Sequence, residues 1–205
     1  VPIPDENSVF INIPYDKSYE HIFVSIIAAL ISIGRMPRCT LEIAEGGQGR
    51  LTRIHDLLES CRVSIHDLSC VKTPVRFNMP FELGLACALD RFNGPHSYIL
   101  LEKKNYRLDK TLSDIKGRDP YIYGGSMLKV VQCVLDALGK KEGQPEMTRV
   151  RKLAVDLWQI AKEIKKNNKV ETIFNRTSYY RLISVGVEYA VKRGFIPESN
   201  GGNSS

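Results

Sequence analysis

The stretch Arg76-Phe-Asn-Met-Pro-Phe-Glu-Leu-Gly-Leu-Ala-Cys-Ala-Leu89 decides how the chain is read. Pro80 suits the first turn of a helix, where a missing N–H costs nothing, and Asn78 is a residue type that caps free helix amides. Phe81, Leu85, Ala88 and Leu89 recur at helical spacing, which predicts that they face a core. Asn78 and Glu82, four apart, are expected close together at the start of that helix. Upstream, the apolar run ending in Ile65-His-Asp-Leu-Ser69 reads as a strand. A strand that ends in an acid thus meets a helix that opens with an amide and a carboxylate. In open α/β sheets, ligands bind at that carboxyl rim. A glutamate in a first turn also gains about 0.3–1 kcal/mol from the helix dipole with no further role.

Working outward, residues 8–13 form a β-rich run broken by Pro14, which predicts the first strand. Residues 22–33 read as a strongly apolar helix ended by Gly34, and 37–43 as a second strand. Leu51, Ile54, Leu57 and Leu58 mark a helix over 51–60, and 63–68 a third strand. A fourth strand is expected at 97–101, a short fifth within 114–123, and a helix at 127–138 stopped by Gly139. This alternation predicts an α/β fold, a parallel sheet of about five strands with helices on both faces. Several open architectures share the order.

Residues 140–145 read as a linker. Beyond them, Val150, Leu153, Ala154, Leu157, Ala161 and Ile164 make an apolar stripe, and Ile183, Val187, Ala190 and Val191 another. Two helices cannot bury both stripes alone. The pair, spanning 146–195, must pack on the sheet, on itself or on a second chain, and a role in homo-oligomer assembly is the favoured expectation. Residues 196–205 are expected to be disordered.

The 205 residues, 43% hydrophobic and 25% charged, are globular values. No apolar run is long enough to span a bilayer and the opening residues lack a signal pattern, so no membrane association and a cytoplasmic location are expected. Five scattered cysteines without a Cys-x-x-Cys pair fit a reducing compartment, with Cys61 and Cys87 read as buried thiols. The net charge of +6 falls entirely in residues 140–205, residues 1–139 being balanced. Such a tail can contact nucleic acid, an acidic surface or an acidic partner, and can equally be the solvated face of ordinary helices.

Most chemistries drop out. Gly46-Gly-Gln-Gly49 matches neither phosphate-loop fingerprint. The four histidines show no metal spacing, and no Gly-x-Ser-x-Gly elbow exists. Asp67 lacks the acid pair and lysine that a phosphoacceptor site would want. What remains is a carboxylate site, suited to stabilising or attacking an oxocarbenium ion on a ribose. One acid suffices when the leaving group is already cationic, as nicotinamide is on NAD. A neutral base would need a proton donor, for which His66 and Asp67 are the nearby candidates.

Five segments carry a family resemblance: Val9-Phe-Ile-Asn-Ile-Pro-Tyr-Asp16, Pro37-Arg-Cys-Thr-Leu-Glu42, Cys61-Arg-Val-Ser-Ile-His-Asp-Leu-Ser69, Arg76-Phe-Asn-Met-Pro-Phe-Glu-Leu-Gly-Leu85 and Asp114-Ile-Lys-Gly-Arg-Asp119. Over about residues 8–139 the chain resembles a bacterial family near the TIR (Toll/interleukin-1 receptor-like) and nucleoside 2-deoxyribosyltransferase-like folds. The resemblance implies a TIR/flavodoxin-like domain over 1–139. In catalytic TIR domains a glutamate on the helix after the third strand is essential for cleaving nicotinamide from NAD. In the deoxyribosyltransferases the equivalent glutamate attacks the sugar. Glu82 matches both positions. The deoxyribosyltransferases approach their glutamate through a more acidic, glycine-containing segment, whereas Arg76-Phe-Asn-Met-Pro here suits a phosphate-bearing substrate.

The combined expectation is cleavage or transfer at the N-glycosidic bond of NAD or a related nucleotide, with Glu82 as the catalytic carboxylate. Asn12, Pro14, Tyr15 and Asp16 would line the pocket, and Asp67, Arg76 and Asn78 would orient ribose and phosphates. NAD or a nucleotide is substrate here, and no cofactor or metal is expected. Phe10, Tyr15, Phe77 and Phe81 are candidates to stack on a base, with Phe10 and Phe81 assigned to the core. Antiviral defence or nucleotide signalling is what the resemblance implies for the cell. The competing expectations are a non-catalytic nucleotide- or protein-binding module, and a nucleic-acid adaptor working through the basic tail.

Overall fold

The computed structural model describes residues 5–43, 49–70, 78–92, 96–105, 112, 118–139 and 145–197. The strands are β1 (Asp5–Asn12), β2 (Met36–Arg38), β3 (Cys61–Asp67), β4 (Ser97–Glu102) and β5 (Tyr121–Ile122). The helices are α1 (Glu20–Ser32), α2 (Arg50–Glu59), α3 (Asn78–Phe92), α4 (Met127–Leu138), α5 (Met147–Asn168) and α6 (Arg176–Lys192), with single 3-10 turns at Lys17–Tyr19 and Thr40–Glu42. All four strand pairings are parallel and the order is β2-β1-β3-β4-β5. The chain leaves β1 toward β2, then returns past β1 to β3. The strand order therefore reverses between β1 and β3, where Asn12 pairs in register with His66.

Val9, Phe10 and Ile11 are fully buried, as parallel strands covered on both faces require. On one face lie α1 and α4. Helices α5 and α6 then cover α1 from outside, which explains why α1 is apolar nearly all round. The stripes of α5 and α6 share one core with α1, β1 and α4. Gly186 of α6 marks the closest approach, since an added Cβ would stand 3.0 Å from Ile31 Cδ1. Polar ties reinforce the packing. Glu20 is 1% exposed and pairs with Lys165 at 2.7 Å while accepting from the Ile173 amide at 2.9 Å. The Tyr179 hydroxyl donates to the Pro37 carbonyl at 2.6 Å. The apolar stripes that suggested assembly are thus covered within the chain.

Helices α2 and α3 cover the other face over two smaller apolar clusters. Three sequence expectations are corrected. The second strand stops at Arg38, because the Glu42 carboxylate accepts from the Cys39 amide at 2.8 Å and pairs with Arg38, winding 40–42 into a 3-10 turn. Helix α3 turns inward through Met79, Glu82, Leu83, Ala86 and Leu89, leaving Phe81 52% exposed. Cys87 is only half-buried, whereas Cys61 is fully buried; all five cysteines are free. Gly46, Phe77, residues 140–144 of the expected linker and the tail from 198 lie outside the described residues. No helix among the described residues is long and apolar enough to cross a membrane.

Candidate functional site

At the carboxyl end of β1, four segments converge on a cavity of about 130 Å³. Ile11, Asn12, Ile13 and Tyr15 come from β1 and the loop after it, and Thr40 from the turn after β2. Arg50 opens α2, Asn78 and Met79 stand in the first turn of α3, and Glu82 follows at the start of its second. An apolar cavity of about 150 Å³ holds a benzene ring. The enclosed space here therefore takes one five- or six-membered ring, and the rest of a larger ligand would extend outside.

Glu82 is 5% exposed, and burial pushes its carboxyl up to about 7, against the opposing pull of an Asn78 hydrogen bond and the Arg50 charge. A carboxyl poised there exchanges its proton near neutrality. The Asn78–Glu82 pairing expected from their spacing is present, but Asn78 begins the helix rather than preceding it.

Asn12 is 2% exposed, and the hydrogen bonds around it fix its orientation. Its Nδ2 donates to the Met79 carbonyl at 3.1 Å and contacts His66 Nδ1 at 3.0 Å. His66 Nε2 is 2.9 Å from Ser64 Oγ, which is 2.9 Å from His96 Nε2, and His96 Nδ1 is 2.9 Å from the Cys61 carbonyl. A carbonyl only accepts, so His96 must carry its proton on Nδ1. Its Nε2 then accepts from the Ser64 hydroxyl, Ser64 accepts from His66 Nε2–H, and His66 Nδ1 accepts from Asn12. Every donor is assigned. Burial, with His96 nearby, depresses His66 to about 3, and burial also lowers His96, so the chain stays uncharged. Asn12 Oδ1 is left buried without a partner.

Of the other residues expected at the site, Tyr15 lines the cavity. Its hydroxyl shares a hydrogen bond with Thr40 Oγ1 at 2.9 Å, and one ring face stacks on Phe174 at 5.0 Å. Burial raises that hydroxyl well above the usual tyrosine range. Pro14, Asp16 and Asp67 are not among the lining residues. The Asp16 carboxylate caps the 3-10 turn through the Ser18 amide at 2.8 Å. Asp67 is fully buried and accepts from Tyr123 Oη at 2.7 Å and the Ser69 amide at 2.8 Å, with burial raising its pKa. Arg76 lies outside the described residues.

Thr40, Arg50 and the Ser64–His96 pair do not follow from the sequence reading. A usable signal existed: Ser64 and His66 alternate along one face of a strand whose neighbours are apolar, an arrangement that obliges buried partners. Among the described residues, one cluster has metal-ligand chemistry, His55, Asp56 and Glu59 on α2, and it lies away from the cavity lining.

Fold and site together define a parallel α/β protein of order 2-1-3-4-5 with a carboxylate-centred cavity at the reversal of strand order. Comparison with protein-family models, with curated proteins and with solved structures finds no match.

Proposed function

We propose that the chain cleaves or exchanges the N-glycosidic bond of NAD or a related nucleotide, with Glu82 as the carboxylate that stabilises or captures the ribosyl cation. The observation that carries this reading is Glu82 itself, nearly buried, poised near neutrality and facing a cavity the size of one sugar ring. The family resemblance supports the same assignment.

The surroundings favour a leaving group that departs without protonation. His66 is uncharged with both ring nitrogens engaged, and Asp67 is held by Tyr123 and Ser69 outside the lining, so neither serves as a proton donor. Nicotinamide leaves NAD as a neutral molecule and needs no acid. As the bond lengthens, positive charge grows on the ribose beside Glu82. An ionised carboxylate in a desolvated site stabilises that charge far more than water does. Water or a second base then takes the sugar. Arg50 supplies positive charge on the cavity wall for a phosphate outside the enclosed space.

Release of nicotinamide from NAD by wild type and by Glu82→Gln, at low and high protein concentration, tests the reading. Release by wild type alone supports it, and a steep concentration dependence points to a homo-oligomeric active form. Silence of wild type toward NAD and nucleoside monophosphates at every concentration favours the binding module.

A further inference from the structure

We propose that Asn12 Oδ1 selects a ribosyl over a 2-deoxyribosyl ligand by accepting from its 2-hydroxyl, and that Ser64, His66 and His96 are positioning residues that hold it toward the cavity. This deepens the glycosidic reading and rests on its placement of a sugar in the cavity. Three observations carry it. Asn12 is 2% exposed, lines the cavity, and has both Nδ2 hydrogens committed to Met79 and His66, so Oδ1 is the polar atom it has left to offer. A buried carbonyl oxygen without a partner is costly unless something donates to it. The direction of every hydrogen bond from Asn12 to the Cys61 carbonyl is set by carbonyls at its two ends, so the amide cannot turn over without breaking the series.

A ligand that answers Oδ1 presents a donor at this point. Asn12 stands on β1 and Glu82 on α3, so two residues with acceptor oxygens line one ring-sized space from separate elements. Adjacent ring hydroxyls meet that arrangement, whereas a carboxamide offers both hydrogens from a single nitrogen. With the anomeric carbon at Glu82, the hydroxyl next along the ring is the 2-hydroxyl. Removing it leaves Oδ1 buried and unanswered.

The test uses the full chain and compares binding of ribose 5-phosphate, 2-deoxyribose 5-phosphate and nicotinamide, none of which has a bond to cleave. Wild type is expected to prefer ribose 5-phosphate by about tenfold or more. In Ser64→Ala, His66 loses its acceptor and is free to move its proton to Nδ1, where it opposes the Asn12 Nδ2–H and pushes the amide off its Met79 anchor, so that Oδ1 loses its fixed place. The preference should then fall to about twofold or less, and Ser64→Thr, which keeps a hydroxyl, should restore it. Nitrogen-15 spectra of wild type give a readout that survives any folding defect in the variants. They should show His66 as the Nε2–H tautomer and His96 as Nδ1–H. Equal or absent binding of the two sugars overturns the proposal, as do an unchanged preference in Ser64→Ala, Ser64-dependent binding of nicotinamide instead, or the opposite His66 tautomer. Ribose selectivity without NAD turnover would remove the glycosidase reading and keep the ribosyl site. Turnover without selectivity would do the reverse.

Discussion

On one face of the sheet, α1 lies beneath α5 and α6 in a continuous apolar core, and the buried charge of Glu20 is met by Lys165 and the Ile173 amide. On the other face, α2 and α3 cover two small clusters, Asn12 Oδ1 is unanswered, and Glu82 is buried at a cavity with its pKa near neutrality. Both faces bury polar groups, but the Glu20 carboxylate of the first is met from within the chain, whereas Asn12 Oδ1 of the second is not. The second keeps groups that water would prefer, and a fold carries that cost where a ligand completes the set. Stability should therefore depend most on the first face and chemistry on the second.

The largest expected effect tests the chemical side. Glu82→Gln should lower nicotinamide release from NAD by about a thousandfold or more while the far-ultraviolet circular dichroism stays unchanged. Lys165→Met tests the other face, since it strands the Glu20 carboxylate in the core. Denaturant titration should show a loss of about 3 kcal/mol. An equal loss of activity with no loss of stability would break the division between the faces.

The pH dependence sharpens the comparison, because Glu82 should destabilise the fold that uses it. Its folded value of about 7 lies above the ordinary 4.5. Below about pH 4.5 the carboxyl is protonated folded or unfolded. Between about 4.5 and 7 the unfolded chain releases the proton while the folded one keeps it, so stability falls as pH rises and levels off above 7. Glu82→Gln should abolish that slope and add on the order of 2–3 kcal/mol at pH 8, read from melting curves across the range. The same variant is thus expected to be inactive and more stable. The smallest effect concerns Phe92, 80% exposed on α3. Phe92→Ser should change stability by less than about 0.5 kcal/mol, and a larger loss would show this helix surface to be covered.

The order of elements was legible because strands and helices alternate with clear periods, and α4 begins and ends where the run from Met127 to Gly139 predicts. Glu82 was legible from Asn78, Pro80 and its place after β3. The rotation of α3 was not. Phe81, Leu85 and Ala88 form an apolar stripe at the same spacing as Met79, Leu83 and Ala86, and a glutamate on the second stripe argues for the wrong face. Periodicity gives a helix its pitch, and only tertiary packing fixes its rotation. The acceptor role of Asn12 was hidden for another reason. It depends on His66, Ser64, His96 and Met79, which lie 52 to 84 positions along the chain and meet only when β1, β3 and α3 assemble.

Phe174, in the connection between α5 and α6, is the surface on which Tyr15 stacks, and Tyr179 holds the backbone at Pro37 just ahead of the turn bearing Thr40. The last third of the chain therefore buttresses two parts of a cavity to which none of its described residues contributes lining. A chain shortened to end after α4 would keep Asn12, Arg50 and Glu82 yet lose the backing of Tyr15 and of the turn bearing Thr40. Conversely, anything that grips α5 or α6 from outside has a mechanical lever on the shape of the site.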